Sequence, residues 1–279
     1  MTYGQQPGNA YRTRATLDPV AAVAYSESVT VPWMRIAHRG ASGTAPEHTR
    51  AAFARALDLD VDMIELDVQL TRDGHLVVLH DEGLERTTNG HGAVREHTLS
   101  EIKTLDAGIW FGPQFMGERV LTLSEVLELV GSAARLNVEV KAPCADWPAL
   151  APQLIDTLER YQALESTIIS CFQPEALLVV REYSNRARLG LLWQNATFDD
   201  AWRWVDVLAA VSIHPLWLFV TVNMVRAARA RALQVLTWTV NDIGIMKHLV
   251  EQGVDGIISD FPERLRVAQG MTGPFGNQS

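Results

Sequence analysis

The sequence predicts an α/β protein of the (β/α)8 TIM barrel class, with an extra β-hairpin strand and an insertion or cap after the second barrel strand. Short apolar segments with strand periodicity alternate regularly with amphipathic helical segments, which indicates a parallel sheet. Eight such strands within 279 residues fit a closed barrel. A doubly wound open sheet is the alternative architecture.

The first half of the predicted barrel begins with a strand over Met34–Ala37, and a helix follows from about Glu47. The second strand, Met63–Leu70, alternates apolar and polar residues with the period of two that a strand requires. Glu65 and Asp67, two positions apart, therefore point to the same face of the sheet.

A hairpin is predicted next, because Asp73-Gly74 favours a tight turn between Leu70 and a return strand over Leu76–Leu79. A turn centred between Arg72 and Asp73 pairs residues whose numbers sum to 145. This register predicts that His80 lies opposite Glu65.

The remaining elements follow in strict alternation after an irregular, glycine-punctuated segment at Glu82–Arg119, which we interpret as an insertion or cap rather than as part of the repeating scaffold. We predict a partly disordered N-terminal extension over 1–32, the barrel over 33–268 and a tail over 269–279. The later strands are predicted at Leu136–Val140, Thr167–Phe172, Arg188–Trp193, Val211–Ile213, Gln234–Val240 and Gly256–Ser259.

Composition excludes several classes of protein. A net charge of −9 and a pI near 5.4 argue against a nucleic-acid partner, since binding to a phosphate backbone needs a basic surface. Apolar segments are interrupted by charges well before the roughly 20 residues of a membrane span, so no stable membrane insertion is expected. Cys144 and Cys171 form no disulfide framework, and no secretory signal is visible, so we expect a cytoplasmic protein.

Charged residues collect where barrel strands end, which is where the active sites of such barrels lie. Glu65 and Asp67 come from the second strand and Glu139 from the third, with Arg39 and Lys141 nearby. Three carboxylates at one place repel each other unless a hard divalent cation with oxygen ligands neutralises them. The alternative is an ion-pair network with the two cations, without a metal.

A series of short motifs resembles the glycerophosphodiester phosphodiesterase family from about His38 to Pro262. Each motif is weak alone, but nine in the same order are strong evidence. They are His38-Arg39-Gly40, Pro46-Glu47-x-Thr49, Glu65-x-Asp67, Thr71-x-Asp73-Gly74, His80-Asp81, Arg86-Thr87-Thr88, Asn137-x-Glu139-x-Lys141, Trp238-x-x-Asn241, and Gly253-Val254-Asp255-Gly256-Ile257 through Asp260-x-Pro262.

The resemblance implies hydrolysis of a glycerophosphodiester to sn-glycerol 3-phosphate and an alcohol, on a small-molecule substrate. The site residues that it implies are His38 and His80 as the acid–base pair, Arg39 and Lys141 as phosphate-binding cations, Trp238 as a wall of the pocket, and Glu65, Asp67 and Glu139 as ligands of one divalent metal ion. All three ligands offer oxygen, which favours Mg²⁺ or Ca²⁺, with Mn²⁺ as a further candidate.

The sequence leaves several points open. His48 stands where the family usually has asparagine, which concerns the hydrogen bonding beside His38. Attack by the substrate's own glycerol hydroxyl, through a cyclic phosphate, and direct attack by water are both compatible with the residues. Two other functions compete: a phospholipase-D-like or lysophospholipid phosphodiesterase, and a catalytically silent barrel that binds a phosphorylated ligand.

Overall fold

A computed structural model describes residues 33–141 and 146–270. In those residues the strands are β1 (Met34–His38), β2 (Met63–Leu70), β3 (Leu76–Val78), β4 (Arg135–Val140), β5 (Thr167–Cys171), β6 (Arg188–Trp193), β7 (Ser212–Pro215), β8 (Gln234–Thr237) and β9 (Gly256–Ser259). The helices are α1 (Arg50–Asp58), α2 (Leu99–Ile102), α3 (Leu123–Val130), α4 (Trp147–Arg160), α5 (Pro174–Tyr183), α6 (Asp199–Leu208), α7 (Val222–Arg229), α8 (Ile243–Gln252) and α9 (Pro262–Ala268).

The sheet closes into a barrel. Its parallel strands follow the order β1-β9-β8-β7-β6-β5-β4-β2, and β2 pairs in turn with β1. The remaining strand, β3, is antiparallel and pairs with β2. The predicted (β/α)8 barrel with one extra hairpin strand is therefore confirmed, and the open doubly wound sheet is wrong.

The two faces of β2 explain how acidic residues enter the barrel. Ile64, Leu66 and Val68 pack outward in the main apolar core between the sheet and its helices. Met63 instead packs in a smaller cluster with residues of β1, β5, β8 and β9. Because side chains alternate along a strand, Glu65 and Asp67 share the face of Met63 and point into the barrel.

The predicted hairpin register is wrong by one residue. Val68 pairs with Val78 and Leu70 with Leu76, so that paired numbers sum to 146 rather than 145. The reason is the loop, which has three residues between Thr71 and His75 and places Gly74 at a φ of +79°, where glycine has no steric penalty. His80 therefore does not lie opposite Glu65; it follows the end of β3, where the chain bends.

The insertion at 82–119 follows this hairpin and has an apolar core of its own. The buried side chains of this core come from the insertion, from β3 and from residues that flank the insertion. They are Val77, Leu79, Leu84, Val94, Ile102, Ala107 and Val120. Capping boxes form at Thr98 and Thr122, at the starts of α2 and α3. The insertion is thus a packed subdomain, while its role as a cap stays a prediction.

Other differences from the predicted elements are small. The last helix, α9, was not predicted, because it is short and begins directly after the last strand at Pro262. The strand predicted over Gln234–Val240 ends at Thr237. In the part of the chain that the structure describes, the helices are too short or too polar to cross a membrane. The predicted extension over 1–32 lies outside the described residues.

Candidate active site

The carboxyl ends of the barrel strands form a cleft of about 450 Å³ that collects most of the predicted site residues. Its lining comprises His38, Arg39, Glu65, His80, Asn137, Glu139, Lys141, Phe172, Leu192, Trp238, Thr239 and Ile258. Of the eight residues predicted from the sequence, only Asp67 is missing from this lining. It is 1% exposed and lies beside Glu65 and Glu139.

Three buried carboxylates form the acidic centre of the cleft. Glu65, Asp67 and Glu139 each offer an oxygen within 4.8 Å of the others. The register brings them together, because Asp67 pairs directly with Glu139 between β2 and β4. Burial, followed by repulsion from Asp67, raises the pKa of Glu139 to about 8 and raises that of Glu65 well above its usual range.

These residues fit a divalent cation. Neither oxygen of Asp67 accepts a well-aligned hydrogen bond from the described residues, although Nζ of Lys141 lies 3.3 Å from Oδ1. An all-oxygen set of carboxylates suits Mg²⁺, Ca²⁺ or Mn²⁺ better than zinc. A bound cation would neutralise the repulsion that raises the pKa of Glu139, so the acidic centre could hold one metal ion.

Arg39 is held at the edge of this centre by its backbone as well as by its side chain. Its N–H donates to the backbone oxygen and to Oε2 of Glu65, at 3.0 and 3.1 Å. This geometry requires positive φ values of +55° at Arg39 and +81° at Gly40. A Cβ at Gly40 would lie 2.7 Å from the backbone of Ala52, so the motif needs glycine there. Nη1 of Arg39 donates to Glu47 at 2.9 Å.

His38 is oriented by an aspartate from the last barrel strand. Its Nδ1 lies 2.6 Å from Oδ1 of Asp260, and its Nε2 lies 3.8 Å from Oε2 of Glu65. Burial alone would raise the pKa of Asp260, but hydrogen bonds with His38, Asn241 and Ser42 lower it to about 2. A permanently ionised Asp260 keeps the proton on Nδ1 and leaves Nε2 facing the carboxylates.

His80 is oriented in the same way by its neighbour in sequence. Its Nδ1 lies 2.6 Å from Oδ1 of Asp81, which leaves Nε2 available in the cleft. Burial lowers the pKa of His80 below the ordinary value, although attraction to Asp67 opposes that effect. His80 is therefore neutral near neutral pH.

Lys141 and Trp238 both lie beside the aromatic ring of Phe172. Lys141 forms ion pairs with Glu139 and Asp67, and its Nζ lies 5.9 Å from the ring centre of Phe172. Trp238 packs edge-to-face on Phe172, with ring centres 5.4 Å apart, and its Nε1 donates to the backbone oxygen of His214 at 2.8 Å. The cleft thus has a charged side and an apolar side.

His48 lies behind the acidic centre rather than beside His38. It is buried, and the backbone N–H of Asp67 donates to its Nε2 at 3.3 Å. Burial lowers the pKa of His48, which fits a neutral ring that accepts this bond. The histidine that replaces the family's usual asparagine therefore supports Asp67.

Sequence reasoning missed the residues that orient the predicted ones. Asp81, Asp260 and Glu47 all stood inside the quoted motifs, yet no role was assigned to them. Adjacency to His80 was a usable signal for Asp81. Nothing local links Asp260 to His38, because the contact exists only when β9 pairs with β1.

Comparisons with known proteins agree with this geometry. The model of the glycerophosphoryl diester phosphodiesterase family matches residues 38–264. A Caldanaerobacter subterraneus protein named glycerophosphodiester phosphodiesterase is 44% identical over 231 residues, which cover 82% of this chain and 95% of that protein. A Bacillus subtilis protein of the same name is 38% identical, and the match covers 82% of this chain and 84% of that protein.

Solved structures show the same fold. An Oleispira antarctica phosphodiesterase, solved with the product sn-glycerol-3-phosphate, is similar with a TM-score of 0.79 and 31% identity, covering 84% of this chain and 96% of that one. A glycerophosphodiester phosphodiesterase from Agrobacterium tumefaciens gives a TM-score of 0.74 at 30% identity, with 83% and 98% covered. From the family match and the identities together, the chain belongs to the glycerophosphoryl diester phosphodiesterase family.

Proposed function

We propose that the protein hydrolyses glycerophosphodiesters to sn-glycerol 3-phosphate and an alcohol, with a divalent metal ion and two catalytic histidines. Family membership makes it a phosphoric diester hydrolase. The observation that most favours this mechanism is the pair of carboxylate-oriented imidazoles, His38 and His80, in the cleft that also holds the acidic centre. Such a pair can remove one proton and supply another at a single phosphodiester.

The metal ligands in this proposal are Glu65, Asp67 and Glu139. A bound Mg²⁺, Ca²⁺ or Mn²⁺ would stabilise negative charge on the phosphoryl oxygens. Arg39 and Lys141 add positive charge at the same edge of the cleft, where their ion pairs with the carboxylates already hold them. Trp238 and Phe172 would pack against the apolar part of the substrate.

His80 is the better candidate for the base, because burial lowers its pKa and keeps Nε2 unprotonated near neutral pH. This nitrogen accepts the proton of the attacking hydroxyl, whether that hydroxyl belongs to the substrate's glycerol or to water. His38 donates the proton on its Nε2 to the leaving alkoxide oxygen, while Asp260 stabilises the charged ring.

A substrate panel tests the proposal. Purified protein should release sn-glycerol 3-phosphate from glycerophosphocholine and glycerophosphoethanolamine, and chelation should abolish the release until Mg²⁺, Mn²⁺ or Ca²⁺ is restored. Turnover of a lysophospholipid in preference to both water-soluble diesters would favour the lipid enzyme instead. Binding of sn-glycerol 3-phosphate without turnover of any diester would favour the silent barrel.

A further inference from the structure

We propose that Arg86, which extends from the insertion, is a positioning residue for both halves of the catalytic machinery. It holds His80 through Asp81 and Arg39 through Glu47, so that one guanidinium aligns a catalytic histidine and a phosphate-binding cation. The proposal rests on the function proposed above and deepens it. Arg86 stood in one of the quoted motifs, and nothing in the reaction as described assigns it a role.

The first connection of Arg86 leads to His80. Its Nε donates to Oδ2 of Asp81 at 2.6 Å, and its Nη2 donates to Oδ1 at 3.0 Å. The same Oδ1 lies 2.6 Å from Nδ1 of His80. Asp81 is therefore fixed by a bidentate arginine on one side while it orients the imidazole on the other.

The second connection leads to Arg39. Nη1 and Nη2 of Arg86 donate to the two oxygens of Glu47, each at 2.8 Å. Oε1 of Glu47 also accepts from Nη1 of Arg39 at 2.9 Å. Four donor contacts on two carboxylates use the whole planar fork of Arg86, which the single ammonium of a lysine cannot reproduce.

The charges of this network agree with its geometry. Hydrogen bonds from Arg86 lower the pKa of Asp81 below its usual range. Burial alone would raise the pKa of Glu47, but Arg86 and Arg39 lower it to about 2. Glu47, only 11% exposed, thus stays ionised between two arginines. Without Arg86, Asp81 would lose the only guanidinium among these contacts and keep its hydrogen bond with His80.

The backbone around Arg86 is fixed by the insertion. Leu84 is buried in the insertion's apolar core, and its N–H donates to the oxygen of Gly92 at 3.0 Å. Thr88 closes the segment with two bonds to the oxygen of Leu84. No residue of 82–119 is among those that line the cleft in the described chain. Arg86 therefore gives the insertion an indirect connection to catalysis.

The two connections predict separable effects. Loss of the Asp81 contact misaligns His80, which acts on the bond-breaking step, and should lower kcat. Loss of the contact between Arg86 and Glu47 leaves that carboxylate, and the Arg39 guanidinium bonded to it, less firmly placed for the phosphate, and should raise KM. Arg86→Ala should do both and reduce kcat/KM by about 100-fold, the cost typical of a misplacement of about 1 Å in a catalytic group.

The experiment compares steady-state kinetics of Arg86→Ala, Arg86→Lys, Asp81→Asn and Glu47→Gln on glycerophosphocholine. Arg95→Ala is the matched control, since Arg95 lies in the same insertion and its ion pair within the described residues is with exposed Glu82. We expect Arg86→Lys to keep the fold but not the activity. Added guanidinium ion should restore at least ten-fold of the lost kcat/KM in Arg86→Ala and should not stimulate the wild type or Arg95→Ala.

Three outcomes would overturn the inference. The first is an Arg86→Ala enzyme as active as Arg95→Ala, and the second is an Arg86→Lys enzyme with near-normal kcat and KM. The third is a loss in Arg86→Ala that guanidinium leaves unchanged and that matches a loss of folded protein, which indicates a purely structural arginine. An inactive wild type would contradict the proposed function itself, so the two failures are distinguishable.

Discussion

Nδ1 of His38 lies 2.6 Å from Oδ1 of Asp260, although 222 residues separate them along the chain. The contact exists because β9 lies beside β1 in the closed barrel, with Ala37 paired to Ser259. It fixes the ring so that Nε2 faces the acidic centre. Barrel closure thus orients the proposed acid.

Asp260→Asn should lower kcat by roughly 100-fold, because the amide cannot stabilise a protonated His38. In the wild type, Nδ2 of Asn241 donates to the Asp260 carboxylate at 2.7 Å. In the variant, the new amide nitrogen would also be a donor, so that two donors would compete at this position. KM for glycerophosphocholine should change little. Steady-state kinetics at saturating metal measure both constants.

The control is Asp255→Asn, at the opposite end of the same strand. Asp255 accepts a hydrogen bond from the N–H of Val235 at 2.8 Å, which an asparagine oxygen can also accept. This variant should keep normal turnover. If Asp260→Asn also kept near-normal kcat, the role assigned to the His38–Asp260 contact would be wrong.

A second prediction concerns stability without metal. Burial and repulsion from Asp67 raise the pKa of Glu139 to about 8, above its unfolded value of 4.5. The folded state therefore binds an extra proton at Glu139 between those values, which lowers stability as pH rises. Since the lowered pKa values of His48 and His80 act in the opposite direction below about 6.5, the net fall is expected between about 6.5 and 8. Glu47 and Asp260 have lowered pKa values of about 2, so their contributions change only at lower pH.

Thermal unfolding of the chelated protein across this range provides the measurement. The midpoint should fall by several degrees towards the alkaline end, and excess Mg²⁺ should remove the trend. Glu139→Gln should show a smaller fall, because buried Glu65 also has a raised pKa, and should lose most of the gain from metal. A midpoint that rises with pH in the chelated wild type would contradict the claim that burial and repulsion raise the pKa of Glu139.

A third prediction concerns the apolar side of the cleft. Trp238→Leu removes the edge-to-face contact with Phe172 and the hydrogen bond to His214. We expect KM to rise about ten-fold, the effect of losing roughly 1.4 kcal/mol of binding, with a smaller change in kcat. Trp110→Leu, on the exposed part of the insertion, should leave KM unchanged. A Trp238→Leu enzyme with the wild-type KM would remove Trp238 from the substrate site.

Much of the barrel could be predicted because each unit has a local signal. Alternation in Met63–Leu70 and apolar periodicity in the helices depend on neighbouring residues alone, and the bounds of β2 match the prediction. The hairpin register failed because Asp73-Gly74 fits either a two-residue or a three-residue loop. The three-residue loop is closed by a hydrogen bond from the N–H of Thr71 to the backbone oxygen of His75, and the apolar periodicity of the sequence does not indicate that bond.

The reacting groups of the site could be predicted from the sequence, but the residues that orient them could not. Glu65 and Asp67 share one face of β2, and Glu139 lies on the adjacent strand β4, so the fold class itself predicted that they meet. The orienting residues depend on long-range contacts, such as that of Glu47 with Arg86, 39 residues apart along the chain. Such partners emerge only when the insertion packs against the barrel.

The central claim is that the histidines perform the chemistry while the carboxylates hold the metal. Calorimetric titration with Mg²⁺ beside steady-state kinetics tests it on His38→Ala, His80→Ala, their double variant and Glu65→Ala. Each histidine variant should lose about 10² to 10⁴ in turnover yet bind Mg²⁺ as the wild type does, and the double variant should be little worse. Glu65→Ala should lose both activity and metal. Near-normal turnover in His80→Ala, or loss of its metal binding, would contradict the account.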